Sequence, residues 1–146
     1  MKLAFGCDPN ATDLKKALMD KAESLGHEVV DFGAEDPIYA NVASDVAHAV
    51  ARGDYDRGVV VCGTGIGVSI AANKVKGAYC ALLADPYSAQ RATLSNNANM
   101  VAMGAQTTGI ETAKVLLEHY LGNAFDPNSR SGPKVARIAE IEAEEK

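Results

Sequence analysis

Strand-like and helix-like segments alternate along the whole of this 146-residue chain. Short runs of β-forming residues are separated by longer segments in which apolar residues recur every three or four positions, the spacing of a helix with one buried face. The predicted strands are residues 2–6, 27–32, 57–62, 77–84 and 99–104. Helical spacing of apolar residues follows each strand, near residues 14–25, 42–50, 66–74, 86–96 and 110–120.

Five βα units in a row predict a parallel sheet with helices packed on both of its faces. The run RGVVVC at 57–62 is largely apolar, as expected for a central strand that is buried on both sides. A chain of this length is expected to form one domain, so we treat residues 1–146 as a single unit.

The loop of residues 126–134 interrupts the alternation of strands and helices, and Pro133 suits the first turn of one more helix. The apolar stripe of that helix is thin and consists of Val135, Ile138 and either Ala139 or Ile141. A thin stripe beyond a complete domain leaves two possibilities. The helix packs on a partner subunit, or it frays into solvent.

Composition narrows the possible functions. A net charge of −5 argues against a nucleic-acid partner. No apolar run approaches the roughly 18 residues of a membrane span, and the N-terminus is expected to be a strand rather than a signal peptide. The three cysteines are far apart and form no CxxC pair, so neither a disulfide framework nor a zinc site is indicated. We therefore expect a cytoplasmic protein.

The stretch CGTGIG at 62–67 stands between a predicted strand and a predicted helix. Its three glycines allow tight turns and expose backbone N–H groups, which favours an anion site. A dinucleotide fingerprint would need G-x-G-x-x-G after the first strand, although Asp85 does lie where a ribose-binding acid would. Alternatively, the N–H groups stabilise charge on a reacting carbonyl, with Cys62 as a thiolate beside it. A third possibility is that Cys62 is simply a small core residue.

Six stretches fall in the order and spacing of one known family. They are GCD at 6–8, IYANVA at 38–43, CGTGIG at 62–67, SIAANKV at 69–75, DPYSAQ at 85–90 and SNNAN at 95–99. With these motifs the chain resembles ribose-5-phosphate isomerase B and the galactose-6-phosphate isomerase subunits. The resemblance implies a Rossmann-like three-layer α/β/α sandwich with a five-stranded parallel sheet and an extra C-terminal helix. It also implies a homodimer or tetramer with shared active sites, and aldose–ketose isomerisation of a sugar phosphate without metal or cofactor.

The same resemblance implies a role for each site residue. Cys62 would move a proton between C1 and C2 through a cis-enediolate, with Thr64 beside it. The amides that would hold the enediolate oxygen are those of Gly63, Gly65, Ile66 and Gly67. The sugar would be contacted by Asp8, Tyr39, Ser95 and Asn96. The phosphate would be held by Arg130, Lys134 and Arg137, contributed by the neighbouring chain.

The basic residues near the C-terminus give this phosphate site some support of their own. Lys134 and Arg137 are three residues apart and share one face of the predicted helix. They also lie near its N-terminus, which suits a phosphate. The alternative is an ordinary solvated face on which Arg137 pairs with Glu140.

Four positions depart from the family pattern. Pro9 and Ser95 stand where members usually carry histidine, and Gln106 and Lys134 stand where many carry arginine. The histidine at the position of Ser95 opens the sugar ring in the family. Ring opening needs proton transfer to the ring oxygen, whereas a tetrose 4-phosphate cannot close a furanose ring because its O4 is esterified. The erythrose 4-phosphate/erythrulose 4-phosphate pair is therefore a candidate substrate.

Three other interpretations stay open. Ser95, Asn97 or a water could open a ring, which would leave ribose 5-phosphate/ribulose 5-phosphate as the substrate pair. The chain could instead be the cysteine-bearing subunit of a hetero-oligomeric galactose-6-phosphate isomerase. The rival of another class is a non-catalytic module that binds a nucleotide at the glycine loop.

Overall fold

The computed structural model describes residues 1–145 and shows a five-stranded, wholly parallel sheet. The strands are β1 (Lys2–Cys7), β2 (Glu28–Asp31), β3 (Arg57–Cys62), β4 (Cys80–Leu82) and β5 (Met100–Gly104). The helices are α1 (Thr12–Ser24), α2 (Tyr39–Ala51), α3 (Ile66–Ala72), α4 (Pro86–Leu94), α5 (Ile110–Leu121) and α6 (Gly132–Glu145). The strand order is β2-β1-β3-β5-β4.

Alternate residues of the central strands point to opposite faces and build two apolar layers. On one face, Phe5 and Val61 pack with α1, α4 and α5. On the other face, Ala4 and Val60 pack with α2 and α3. This arrangement is the Rossmann-like three-layer sandwich that the resemblance implies, and the prediction of the fold is confirmed.

The order in which the chain adds strands to the sheet reverses between the neighbouring strands β1 and β3. Cys7 pairs with Val61, so the carboxyl ends of the two strands are adjacent. The helix after β1 covers one face of the sheet, and the helix after β3 covers the other. A crevice therefore opens between them, and in parallel sheets this is where ligands bind.

Side chains shorten two of the predicted elements. β4 is an edge strand of three residues instead of the predicted 77–84. Before it, the Asn99 side chain bonds two backbone groups: its Oδ1 accepts from the N–H of Tyr79 at 2.8 Å, and its Nδ2 donates to the carbonyl of Gly77 at 2.9 Å. Likewise α3 ends at Ala72, because the Asn73 side chain bonds both backbone groups of Cys80.

The last helix, α6, is continuous to Glu145 and has no buried residue. Glu142 ties it to the segment before β4, since its carboxylate accepts from the N–H of Gly77 at 3.0 Å and from the hydroxyl of Tyr79 at 2.6 Å. We call these two bonds the Glu142 clasp. Packing of α6 on a partner subunit stays a prediction.

None of the helices within residues 1–145 combines the length and the apolar character that a membrane crossing requires. The cytoplasmic location stays a prediction.

Candidate functional site

The glycine loop begins where β3 ends, at Cys62. Gly65 adopts a left-handed conformation with φ of +77°, which a residue with a side chain adopts only with strain. This turn aims the N–H of Gly65 back at Sγ of Cys62, at 3.2 Å. Cys62 is 5% exposed and belongs to the apolar layer under α2 and α3, and its sulfur accepts from a backbone donor of the loop.

The end of β5 anchors the loop from the side. The N–H of Ala105 donates to the carbonyl of Cys62, and the N–H of Gln106 donates to that of Gly63, both at 2.8 Å. The Gln106 side chain lies against Gly63. The sequence singled out Gln106 only as a departure from the family pattern, and the structure places it beside the loop.

Asp8 and Tyr39 join the glycine loop at the carboxyl edge of the sheet. Asp8 follows Cys7 at the end of β1, and Cys7 pairs with Val61, the residue before Cys62 at the end of β3. Asp8 and the glycine loop therefore begin at neighbouring strand ends. Asp8 is 6% exposed and accepts from the N–H of Asn10 at 3.0 Å, which caps a short 3-10 turn. Tyr39 begins α2, and its ring lies so close to Gly67 that a Cβ at Gly67 would overlap it.

Two of the four amides assigned to the enediolate oxygen already have acceptors within the loop. The N–H of Gly65 donates to Cys62 as described, and the N–H of Ile66 donates to Oγ1 of Thr64 at 3.2 Å. Gly63 and Gly67 are therefore the better-placed donors for a ligand oxygen. The Thr64 side chain is exposed at the rim of the loop.

A second group of predicted residues lies elsewhere. Ser95, Asn96, Arg130 and Lys134 line one cavity of about 660 Å³. Its other lining residues are Tyr87, Arg91, Leu94, Ser129, Ser131, Val135 and Ile138. We call this cavity the cationic pocket, because it contains three basic residues and no carboxylate among the described residues. Such a pocket favours an anion.

Arg137 does not line the cationic pocket. Its guanidinium donates to Glu144 at 2.8 Å and to Glu140 at 3.1 Å. These carboxylates, Glu144 foremost, raise the pKa of Arg137 above its ordinary value. The arrangement is the solvated, paired face that the sequence left open as the alternative, so a phosphate role for Arg137 stays a prediction.

The two groups occupy opposite edges of the sheet. Gly104, at the end of β5, pairs with Cys62, whereas Ser95 and Asn96 precede the start of that strand. β5 has five residues, so the groups are separated by roughly 16 Å of strand. One chain therefore does not bring Cys62 together with the cationic pocket.

A family model described as Ribose/Galactose Isomerase matches residues 3–138. The chain belongs to this family. The D-erythrulose-4-phosphate isomerase of Pectobacterium atrosepticum is 43% identical over 150 residues, which cover 100% of this chain and 98% of that protein. Ribose-5-phosphate isomerase B of Escherichia coli is 40% identical over 144 residues, 97% of this chain and 96% of that one. A solved structure of ribose-5-phosphate isomerase B from Clostridium thermocellum gives a TM-score of 0.93 at 36% identity, covering 100% of both chains.

Membership of the Ribose/Galactose Isomerase family confirms the expected enzyme class, an aldose–ketose isomerase acting on a sugar phosphate. Membership of this family does not favour the dinucleotide interpretation of the glycine loop. Asp85, the acid which that interpretation would use, is instead the N-cap of α4, where its carboxylate accepts from the N–H of Ser88 at 2.8 Å.

One basic residue of the cationic pocket was not predicted from the sequence. Arg91 lines the cationic pocket, and its Nε donates to Oγ of Ser95 at 2.6 Å. The spacing of four residues on a predicted helix was the available signal, since such residues face the same side.

Proposed function

We propose that this protein interconverts an aldose 4-phosphate and its ketose with Cys62 as the base, and that the substrate is an open-chain tetrose phosphate. The observation that carries the chemistry is the backbone N–H of Gly65 directed at the Cys62 sulfur, with Asp8 and Tyr39 at the same edge of the sheet. The observation that carries the substrate is Ser95 in the cationic pocket, where the family usually has a ring-opening histidine.

The proposed reaction moves two protons and needs no external electron donor. The Cys62 thiolate removes the proton from C2 of the aldose, and the electron pair of that C–H bond forms the C1–C2 double bond of a cis-enediolate. The N–H groups of Gly63 and Gly67 would stabilise the charge on O1. Cys62 then returns the proton to C1. The Thr64 hydroxyl would donate its proton to O1 and accept the proton of the O2 hydroxyl group.

The substrate proposal follows from what Ser95 lacks. A serine hydroxyl is a poor acid–base at neutral pH, so it opens a closed furanose slowly. An aldotetrose 4-phosphate has no such ring to open. The similarity to a D-erythrulose-4-phosphate isomerase supports the same substrate pair, erythrose 4-phosphate and erythrulose 4-phosphate.

We further propose that each active site is shared by two copies of the chain. The Cys62 edge of one copy would face the cationic pocket of the other, which would bring Arg130 and Lys134 to the substrate phosphate. The separation of the two residue groups within one chain supports this assembly, because neither group alone makes a complete site.

The test of substrate is a comparison of kcat/KM on erythrose 4-phosphate, ribose 5-phosphate and six-carbon aldose phosphates. We expect the tetrose to be preferred by about a hundredfold over ribose 5-phosphate. The variant Ser95→His should narrow that preference by raising kcat/KM on ribose 5-phosphate, whereas Ser95→Ala, the matched control, should not. A higher kcat/KM on ribose 5-phosphate for the unmodified protein would refute the tetrose proposal.

The same measurements address the two rivals. Turnover of any sugar phosphate by the purified single chain at ordinary rates excludes the need for a companion galactose-6-phosphate isomerase subunit. A rise of the unfolding temperature with NAD or ATP, and none with sugar phosphates, would favour a nucleotide-binding module instead.

A further inference from the structure

Arg91 is the one basic residue of the cationic pocket that stands on a helix of the central sandwich. It lies in the last turn of α4, and its Nε donates to Oγ of Ser95 at 2.6 Å. The guanidinium is thereby fixed on the pocket wall by a contact with the residue that caps the end of its own helix. Arg130, in contrast, is an exposed loop residue, and Lys134 lies in the first turn of the exposed helix α6.

The positive charge of this pocket is not compensated within the chain. Arg91, Arg130 and Lys134 form no ion pair with any carboxylate of residues 1–145. Other basic residues of this acidic protein do form such pairs, namely Lys15, Lys16, Lys21, Arg52, Lys114 and Arg137. Three unpaired cations around one cavity leave it ready to bind a multiply charged anion.

The orientation of Arg91 suits a phosphate. Its Nε is occupied by Ser95, and its two terminal nitrogens donate to no acceptor of residues 1–145. Those nitrogens can donate in parallel to two phosphate oxygens, which is the strong, bidentate mode of arginine. Because the Ser95 oxygen accepts from Nε, its own hydrogen is free to be donated into the pocket.

We propose that Arg91 is a phosphate-binding residue of this site, and that it also positions the Ser95 hydroxyl toward the sugar. The inference rests on the proposed function only in that the anion is the phosphate of the substrate. Because Arg91 stands on α4, four residues before Ser95 and five before Asn96, it sets where the phosphate lies relative to the sugar contacts. Arg130 and Lys134 then add charge from the exposed loop and from the first turn of α6.

The experiment is calorimetric titration of inorganic phosphate into the unmodified protein, Arg91→Gln, Arg91→Lys and Arg52→Gln. Arg52 pairs with Asp54 on the surface and serves as the matched control. We expect Arg91→Gln to weaken the Kd for phosphate about tenfold or more, as the loss of a charged hydrogen-bond pair predicts. Arg91→Lys keeps the charge but not the planar guanidinium, so its Kd for phosphate should lie between those of the unmodified protein and Arg91→Gln. Arg52→Gln should bind phosphate with the Kd of the unmodified protein.

Kinetics on the sugar phosphate separate binding from folding. Arg91→Gln should raise KM by a similar factor while kcat falls less, with an unchanged unfolding temperature. Retention of the unmodified Kd and KM by Arg91→Gln overturns the inference, and so does a failure of the unmodified protein to bind phosphate. If the protein binds phosphate through Arg91 but isomerises no sugar phosphate, the inference stands and the proposed function fails.

Discussion

Cys62 differs from the other two cysteines in its surroundings rather than in its burial alone. Cys7 is fully buried within β1, and burial raises the pKa of its thiol. Burial likewise raises the pKa of Cys80 to about 12, so that thiol stays protonated. Cys62 instead stands at a strand end, where a backbone N–H is directed at its sulfur. Of the three cysteines, it alone has a backbone N–H of residues 1–145 directed at its sulfur.

Cys62→Ser and Cys62→Ala should each lower kcat by roughly 10²- to 10⁴-fold, because the proton at C2 then has no base. Steady-state kinetics on erythrose 4-phosphate measure this, with unfolding temperature as the check on the fold. Cys80→Ala is the matched control and should keep most of the activity. Near-normal turnover by either Cys62 variant would remove this residue from the role of base.

At the scale of elements, helices α4 and α6 both contribute residues to the cationic pocket, but they differ in how they pack on the rest of the protein. α4 is packed on the sheet through Ala89 and Ala92. α6 has no buried residue, and the Glu142 clasp fastens it to the segment before β4. The hydrogen bond to Glu142, together with partial burial, raises the pKa of Tyr79 to about 12. The tyrosine therefore remains a donor at every physiological pH.

Tyr79→Phe should lower the free energy of unfolding by about 1 kcal/mol at pH 8, through loss of the bond to Glu142. The folded-state pKa is raised from 10.0 to about 12, so this stabilisation is complete below pH 10 and lost as the pH rises toward 12. Urea unfolding at pH 8, 10 and 11 should show the two proteins converging. Tyr87→Phe, which alters an exposed tyrosine, is the control, and a difference that did not shrink with pH would contradict the assignment.

At the scale of the whole molecule, the predicted site residues fall at two opposite edges of the sheet, which supports the proposed assembly of two copies. The carboxyl edge of the sheet carries the glycine loop, and the amino edge carries the cationic pocket. Around them the surface exposes large apolar side chains, including Ile66 and Ile70 on α3 and Leu82 on β4. A second copy of the chain would cover such residues and, by two-fold symmetry, would complete two sites at once.

Mixing two inactive variants tests this assembly. Cys62→Ala lacks the base, and the double variant Arg130→Gln/Lys134→Gln lacks two phosphate contacts. In a shared site, each mixed dimer has one intact site and one doubly altered site. After subunit exchange at equal amounts, we expect activity to recover to about a quarter of the unmodified level. Activity that stays at the average of the two parents would place the whole site within one chain.

The alternation of elements, the parallel sheet and the glycine loop were predictable from the sequence, because periodicity and glycine conformation are local properties of the chain. The approximate ends of most strands and helices followed from the same patterns. The shortening of β4 and α3 did not, since it depends on Asn99 and Asn73 side chains that bond backbone groups many residues away.

The sequence by itself thus determined the family, the enzyme class and the residues near Cys62, which adjoining strand ends bring together. Only the tertiary structure decided that Ser95, Asn96, Arg130 and Lys134 lie at the other edge, that Arg91 joins them, and that Arg137 pairs with Glu140 and Glu144. The physical reason is that a helix of nine residues returns the chain across the sheet, from Asp85 to Ser95. Spacing along the chain does not show which edge a residue reaches, and packing in three dimensions does.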